Sequence, residues 1–356
     1  MAEPQEDVLK IGRLPRILNS GVDYNDLQKI IQGSPGDMEW SRRWEEFGAV
    51  HEALGDQALK DGRTRSAGEA FVRAAVYYHT GQSGNHSDPA EKARLQHRQQ
   101  DVYRKGMPYL RPPAEQLVVP YKGISFPGNL RIPEGAGSFP CVLLLAGADS
   151  TKEEFYTLEN TFLARGVATF SFDGPGQSLT RATLPYTADV ETSIAACLDV
   201  LEKHPRIDGT KFGIWGRSLG GYGAPRAAAL DGRIKACVSA GGFYDMHASW
   251  LHFPAVVRTN LGKVIGAHSP EEAETLAKGF SLAGLMPRVT CPFLVIHSHG
   301  DNVCSYKDGE RMAREAKGPT EIHIFPEGDH ACDNISYKVR PFTADWLARH
   351  LGVAAL

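Results

Sequence analysis

The sequence predicts an α/β fold: a mainly parallel sheet covered on both faces by helices, with an N-terminal helical domain in front and a cap insertion within. Three observations carry that prediction. From about residue 113 onward, short continuous apolar runs alternate with helical patterns, the mark of strands buried on both faces. Residues 23–110 show helical spacing and no convincing strand. Between an apolar run and a helix-like stretch lies Gly216-Arg-Ser-Leu-Gly220, a Gly-x-Ser-x-Gly frame in strand-to-helix context.

In the front part, residues 1–112, Trp40, Trp44, Phe47, His51, Leu54 and Ala58 recur at spacings of three and four. They mark one face of a helix that fades at Asp61-Gly62. Aromatic residues at that spacing read as core rather than as a ligand cage. A second helix is expected over 64–79, striped by Ala67, Phe71, Ala74, Ala75 and Tyr78. A third opens at Asp88-Pro89, with proline in its first turn. Pro112-Pro113 marks the change of pattern. Strands are then expected over 116–120, 123–132, 141–145, 167–172, 212–215, 234–239, 293–297 and 321–325, with helices near 152–165, 187–204, 219–230, 307–316 and 338–350. The core thus falls into two parts, 113–243 and 287–356. The intervening 244–286 holds Trp250, Phe253 and a helical stretch over 270–278 but no sheet-like run. An insertion at that place, on the carboxyl side of the strands, is expected to overhang the nucleophile as a cap.

Composition narrows the function classes. The 356 residues are 42% hydrophobic and 23% charged, with a formal charge of −3, so no basic footprint for nucleic acid is present. No apolar run approaches a membrane span. The start, Met-Ala-Glu-Pro-Gln-Glu-Asp, is acidic and has no apolar h-region, so no secretory signal and a cytoplasmic location are expected. The six cysteines are scattered without a Cys-x-x-Cys and read as free thiols.

A serine hydroxyl needs a base to take its proton and a carboxylate to orient that base. Ser218 is the expected nucleophile. His330, in Phe-Pro-Glu-Gly-Asp-His after the last strand, is the expected base, and Asp301, just past the preceding strand, the expected acid. Asp329 is the weaker alternative, because chain neighbours rarely face one another. The order Ser–Asp–His is that of one serine-hydrolase architecture and not of chymotrypsin or subtilisin. The oxyanion hole is assigned to the backbone N–H groups of Leu219 and Ala148. The segment 173–178, Asp-Gly-Pro-Gly-Gln-Ser, lacks the lysine of a phosphate loop and reads as a structural turn. His297 and His299 lack a placed third ligand, so no metal and no cofactor are expected.

With these residues in place, the body resembles the α/β-hydrolases. The whole chain resembles the branch of 2,6-dihydroxypseudooxynicotine hydrolase and fungal polyketide-shortening hydrolases. The carrying segments are Asn19–Asp26, Asp149-Ser-Thr-Lys-Glu-Glu154, Phe172-Asp-Gly-Pro-Gly-Gln177, Gly216-Arg-Ser-Leu-Gly-Gly221, Gly241-Gly-Phe243 and Gly328-Asp-His330. The resemblance implies Ser218, Asp301 and His330 as triad, and a helical front that packs over the site and contributes to a homodimer. It also exposes a departure. The carbon–carbon hydrolases of this branch place an acid in the cap, whereas residues 246–269 here contain no Asp or Glu. Expelling carbon calls for an extra proton donor; expelling an alcohol or amine needs only His330. The expected activity is therefore hydrolysis of an ester or amide of a small aromatic or heterocyclic compound. Carbon–carbon hydrolysis next to a ketone is the alternative, and a non-catalytic binding protein is the distant one. Arg217, His247, Trp250 and His252 are candidate substrate contacts.

Overall fold

The computed structural model describes residues 13–32, 37–83 and 88–353. The chain divides into two compact units, residues 1–116 with 153–157, and residues 117–152 with 158–356.

The first unit is helical: α1 (Arg13–Asn19), α2 (Tyr24–Gln32), α3 (Asp37–Lys60), α4 (Thr64–Ser83) and α5 (Pro89–Gly106). The two leading helices are too short to stand out by periodicity; α2 is held by its buried Leu27 and Ile30. Trp40 and Trp44 are core, meeting edge to face at 5.4 Å, and Trp44 meets Tyr77 at 5.4 Å. Leu54 departs from the expected stripe and is 53% exposed. The buried line of α3 runs instead through Gly48 and Gly55, where a Cβ would lie 2.5 Å from the rings of Tyr78 and Phe71. The helices approach by omitting a side chain, which a search for apolar spacing does not register. Asp88 caps α5 by accepting the N–H groups of Ala90 and Glu91, each at 3.0 Å.

The second unit is built on a sheet of β1 (Ala114–Tyr121), β2 (Ile124–Arg131), β3 (Phe139–Leu145), β4 (Ala168–Phe172), β5 (Ile207–Arg217), β6 (Ile234–Ala240), β7 (Phe293–Ser298) and β8 (Thr320–Phe325). Their spatial order is β1-β2-β4-β3-β5-β6-β7-β8. β2 runs antiparallel to β4, and the pairs from β4 through β8 are parallel. β5 begins earlier than its apolar run, because its first turn of strand, Asp208-Gly-Thr-Lys211, is polar. Helices α6 (Tyr156–Leu163), α7 (Glu191–Leu201), α8 (Leu219–Leu230), α12 (Tyr306–Glu315) and α13 (Ser336–His350) alternate with the strands. A short 3₁₀ turn, Lys152–Phe155, precedes α6 and replaces the front of the expected helix.

Between β6 and β7 stand α9 (Met246–Ser249), α10 (Ala255–Val264) and α11 (Pro270–Ala277). The neck of this insertion is closed by a bridge between Asp245 and Ser281 and by the bonds Met246 N–H to Phe280 O and Leu282 N–H to Tyr244 O. Trp250 and Phe253 are buried and edge-on at 6.4 Å, and Phe253 rests against Phe243. Among the described residues no helix is long and apolar enough to cross a membrane.

The sheet packs tightly at Phe170, which is fully buried, stacks on Phe172 at 5.9 Å and fills the space left by Gly128. Phe170→Ala is expected to cost about 3–5 kcal/mol, read as a lowered midpoint in chemical denaturation of the full chain; a loss under about 1 kcal/mol would contradict this packing.

Candidate active site

β5 ends at Arg217 and α8 begins at Leu219, so Ser218 alone makes the turn. Its backbone sits at φ 56°, ψ −116°, a conformation costly for any residue with a Cβ. Neighbouring chain leaves no room for side chains around it. A Cβ on Gly216 would lie 2.0 Å from Gly220 O, and one on Gly220 would lie 2.3 Å from Leu145 O. The turn is pinned by Ser218 N–H donating to Ala240 O at 2.9 Å, and Ser218 O caps the helix by accepting from Gly221 N–H at 2.8 Å. Leu219 is the first residue of α8, so its N–H has no acceptor inside the helix.

The structure brings Asp301 and His330 together. His330 Nδ1 donates to Asp301 Oδ2 at 2.9 Å and lies 3.0 Å from Oδ1. Asp301 Oδ1 also accepts the N–H groups of Val303 and Cys304, both at 2.8 Å. Burial opposes ionisation of Asp301, but the His330 ring and the Cys304 N–H outweigh it and hold the carboxyl below the usual carboxylate range. Asp329 turns elsewhere: its carboxylate accepts from Asn334 N–H at 3.1 Å, and Asn334 Oδ1 accepts from Asp329 N–H at 2.9 Å. The His330 loop meets the end of β6, where a Cβ on Gly241 would touch Ala331 at 3.0 Å. Ser218 and His330 thus flank the same strand end. Ser218 Oγ makes no hydrogen bond among the described residues, consistent with a catalytic bond that forms when substrate is present.

The loop after β3 lies against Ser218: a Cβ on Gly147 would be 3.5 Å from Ser218 Cβ. Gly147 O accepts from Ser150 N–H at 3.3 Å, which fixes the peptide whose opposite edge carries the Ala148 N–H. The 173–181 loop grips this segment three times. Asp173 accepts both the backbone N–H and the ammonium of Lys152, at 2.9 and 2.8 Å, in a fully buried ion pair. Gln177 Nε2 donates to Ala146 O at 3.2 Å, and Arg181 Nη2 donates to Ala148 O at 2.8 Å. Segment 173–178 is therefore a turn that supports the loop after β3. The Lys152–Asp173 pair lay unread in two motifs of the sequence, since nothing local in either motif names the other as its partner. Glu153 and Glu154 of the same motif belong to the helical unit, where Gln99 donates to Glu153 at 2.8 Å and Arg16 pairs with Glu154.

The remaining candidate contacts sort differently. Arg217 forms a part-buried ion pair with Asp333, tying the turn before Ser218 to the His330 loop. Trp250 is buried and lines a groove of about 340 Å³ with Arg258, Lys263 and His268; none of Ser218, Asp301 or His330 lines it. His247 is 40% exposed, 3.9 Å from Glu274, and His252 is exposed. His297 is buried and donates through Nε2 to Gly242 O at 2.9 Å, and burial keeps its proton affinity low. His299 is exposed, edge-on to Tyr306. Among the described residues no group of three His, Cys, Asp or Glu is placed to hold a metal.

Two expectations follow. Lys152→Met leaves Asp173 buried without its counter-charge and should cost about 3–5 kcal/mol, measured by denaturation. Lys152→Met with Asp173→Leu should recover part of that loss; no recovery would show that the pair does not act as a unit.

Comparison with known proteins fits this geometry. Residues 12–326 match the family model described as esterase FrsA-like. The chain is 32% identical over 347 residues to 2,6-dihydropseudooxynicotine hydrolase of Paenarthrobacter nicotinovorans, covering 97% of this chain and 92% of that protein. The crystal structure of 2,6-dihydroxy-pseudo-oxynicotine hydrolase superposes with a TM-score of 0.89 at 30% identity, over 95% of this chain and 96% of that one. Hydrolyase poxO of Penicillium oxalicum is 36% identical over 222 residues, 58% of this chain and 52% of that protein.

Proposed function

Because the chain belongs to the FrsA-like esterase family of α/β-hydrolases, we propose that it cleaves an ester or amide of a small aromatic or heterocyclic compound through an acyl-enzyme on Ser218. The observation that carries this reading is a hydroxyl held in strained backbone at the head of α8, with a histidine–aspartate pair at the same strand end.

In this mechanism His330 Nε2 takes the Ser218 proton as Oγ attacks the carbonyl carbon. Asp301 keeps the proton on Nδ1 and stabilises the imidazolium that forms. The tetrahedral oxyanion is met by the N–H groups of Leu219 and Ala148, each worth roughly 10²–10³ in rate. His330 then protonates the departing alcohol or amine, and water repeats the sequence on the acyl-enzyme.

Carbon–carbon hydrolysis is the second reading, favoured by the likeness to the Paenarthrobacter enzyme. It requires a proton for a carbon leaving group. Residues 246–269 offer His247, His252 and His268 but no carboxylic acid, which favours a heteroatom leaving group.

A fluorophosphonate should label the wild type and not Ser218→Ala; an unlabelled wild type would remove both readings. Asp301→Asn should lower kcat by roughly 10³–10⁴, and a change under tenfold would remove Asp301 from the triad. Across aryl esters, anilides and aryl 1,3-diketones, turnover should include esters or anilides; turnover of the diketones alone would establish the second reading.

A further inference from the structure

Arg181 differs in its partners from four of the more enclosed arginines of this chain. Arg16, Arg131, Arg217 and Arg226 each hold a carboxylate, from Glu154, Glu159, Asp333 and Glu191 respectively. Arg181 holds two carbonyl oxygens instead, donating from Nε to Gly176 O at 2.9 Å and from Nη2 to Ala148 O at 2.8 Å. No ion pair to it is present among the described residues, although Asp149 is near enough to be felt electrostatically. Desolvation lowers its pKa to about 10, the sign of a cation enclosed by protein without a full counter-charge. Elsewhere in a fold such an arginine would be a net cost.

Its position gives that cost a use. Gly147 abuts Ser218, Ala148 is the next residue, and the guanidinium touches the Ala148 carbonyl. These three contacts set the cation within about 14 Å of the Ser218 side chain, counting the span of each residue and a Cα spacing of about 3.8 Å. A guanidinium has five N–H donors; two are spent on the loop carbonyls, which leaves three. Paired N–H groups match a carboxylate in two-point geometry, and Arg suits that role better than Lys.

We propose that Arg181 is a specificity-determining residue that receives a carboxylate carried by the substrate a few bonds from the scissile carbonyl. This rests on the acyl-enzyme reading and narrows it to acidic substrates. The carbonyl bonds hold the guanidinium in place before substrate arrives, so little ordering is needed on binding. The charge on the substrate supplies the missing counter-ion, and a neutral isostere leaves the cation unpaired.

The test compares 4-nitrophenyl hydrogen glutarate with 4-nitrophenyl valerate, a pair of similar length that differs in the terminal carboxylate. The ratio of their kcat/KM values should favour glutarate in the wild type. In Arg181→Gln that ratio should fall about 10–100-fold, the range of a hydrogen bond to a charged group, mainly through KM. Any fall common to both esters reports loosening of the Ala148 loop and cancels in the ratio. Arg181→Lys, which keeps the charge, should retain much of the preference. A ratio unchanged in Arg181→Gln would overturn the proposal and leave Arg181 as a clamp on the loop. Binding separates this from the reading beneath it: Ser218→Ala should bind glutarate in calorimetry, and the double variant with Arg181→Gln should not. Glutarate binding lost in the double variant, together with no fluorophosphonate labelling of the wild type, would reject the acyl-enzyme and retain the arginine site. Labelling without glutarate binding would do the reverse.

Discussion

Ser218 holds φ 56°, ψ −116° only because the chain around it omits side chains where they would collide. Strain of this kind costs about 1–3 kcal/mol and persists only when the surroundings fix it. Here they do so from both sides: Gly220 lies against the carbonyl of Leu145 on β3, and Gly221 lies against Gly242 after β6. Enlarging any of these glycines would push apart the strand ends that define the site. The same close fit brings the loops after β3 and β6 to the serine.

Around that turn, loops that carry only short 3₁₀ turns are held by charge and by hydrogen bonds. Lys152 and Asp173 join the loops after β3 and β4 with both groups fully buried. Arg217 and Asp333 join the Ser218 turn to the His330 loop, where Ala331 and Cys332 adopt left-handed backbone. Ser298 donates to Asp329 O at 2.7 Å and steadies the residue before His330. Buried ion pairs of this sort add little net stability against an apolar replacement. Their value lies in fixing one arrangement of three loops, which catalysis at the ångström scale requires.

Much of this was legible in the sequence, because the strands of a doubly covered sheet are continuous apolar runs and the Gly-x-Ser-x-Gly frame sits between a strand and a helix. The eight strands fall where those runs predict, and Asp301 pairs with His330 as strand-end placement suggests. What stayed hidden has physical reasons. The first part of β5 is polar, α1 and α2 are short, and α10 lies in an insertion without a strand pattern. Leu54 looks like part of a buried stripe until Gly48 and Gly55 are seen to carry the helix contact. Arg217 looks like a free contact beside Ser218 until Asp333, more than a hundred residues away, takes it up. Long-range partners leave no local signature.

The chemistry turns on whether an acyl group passes through Ser218. The most direct measurement is mass spectrometry of the enzyme quenched during turnover of an aryl ester. The account predicts a mass increase equal to the acyl group, confined to the tryptic peptide 218–226 and absent in Ser218→Ala. An acyl group on another residue, or turnover with no acylated intermediate under conditions that trap one in a known serine esterase, would contradict it.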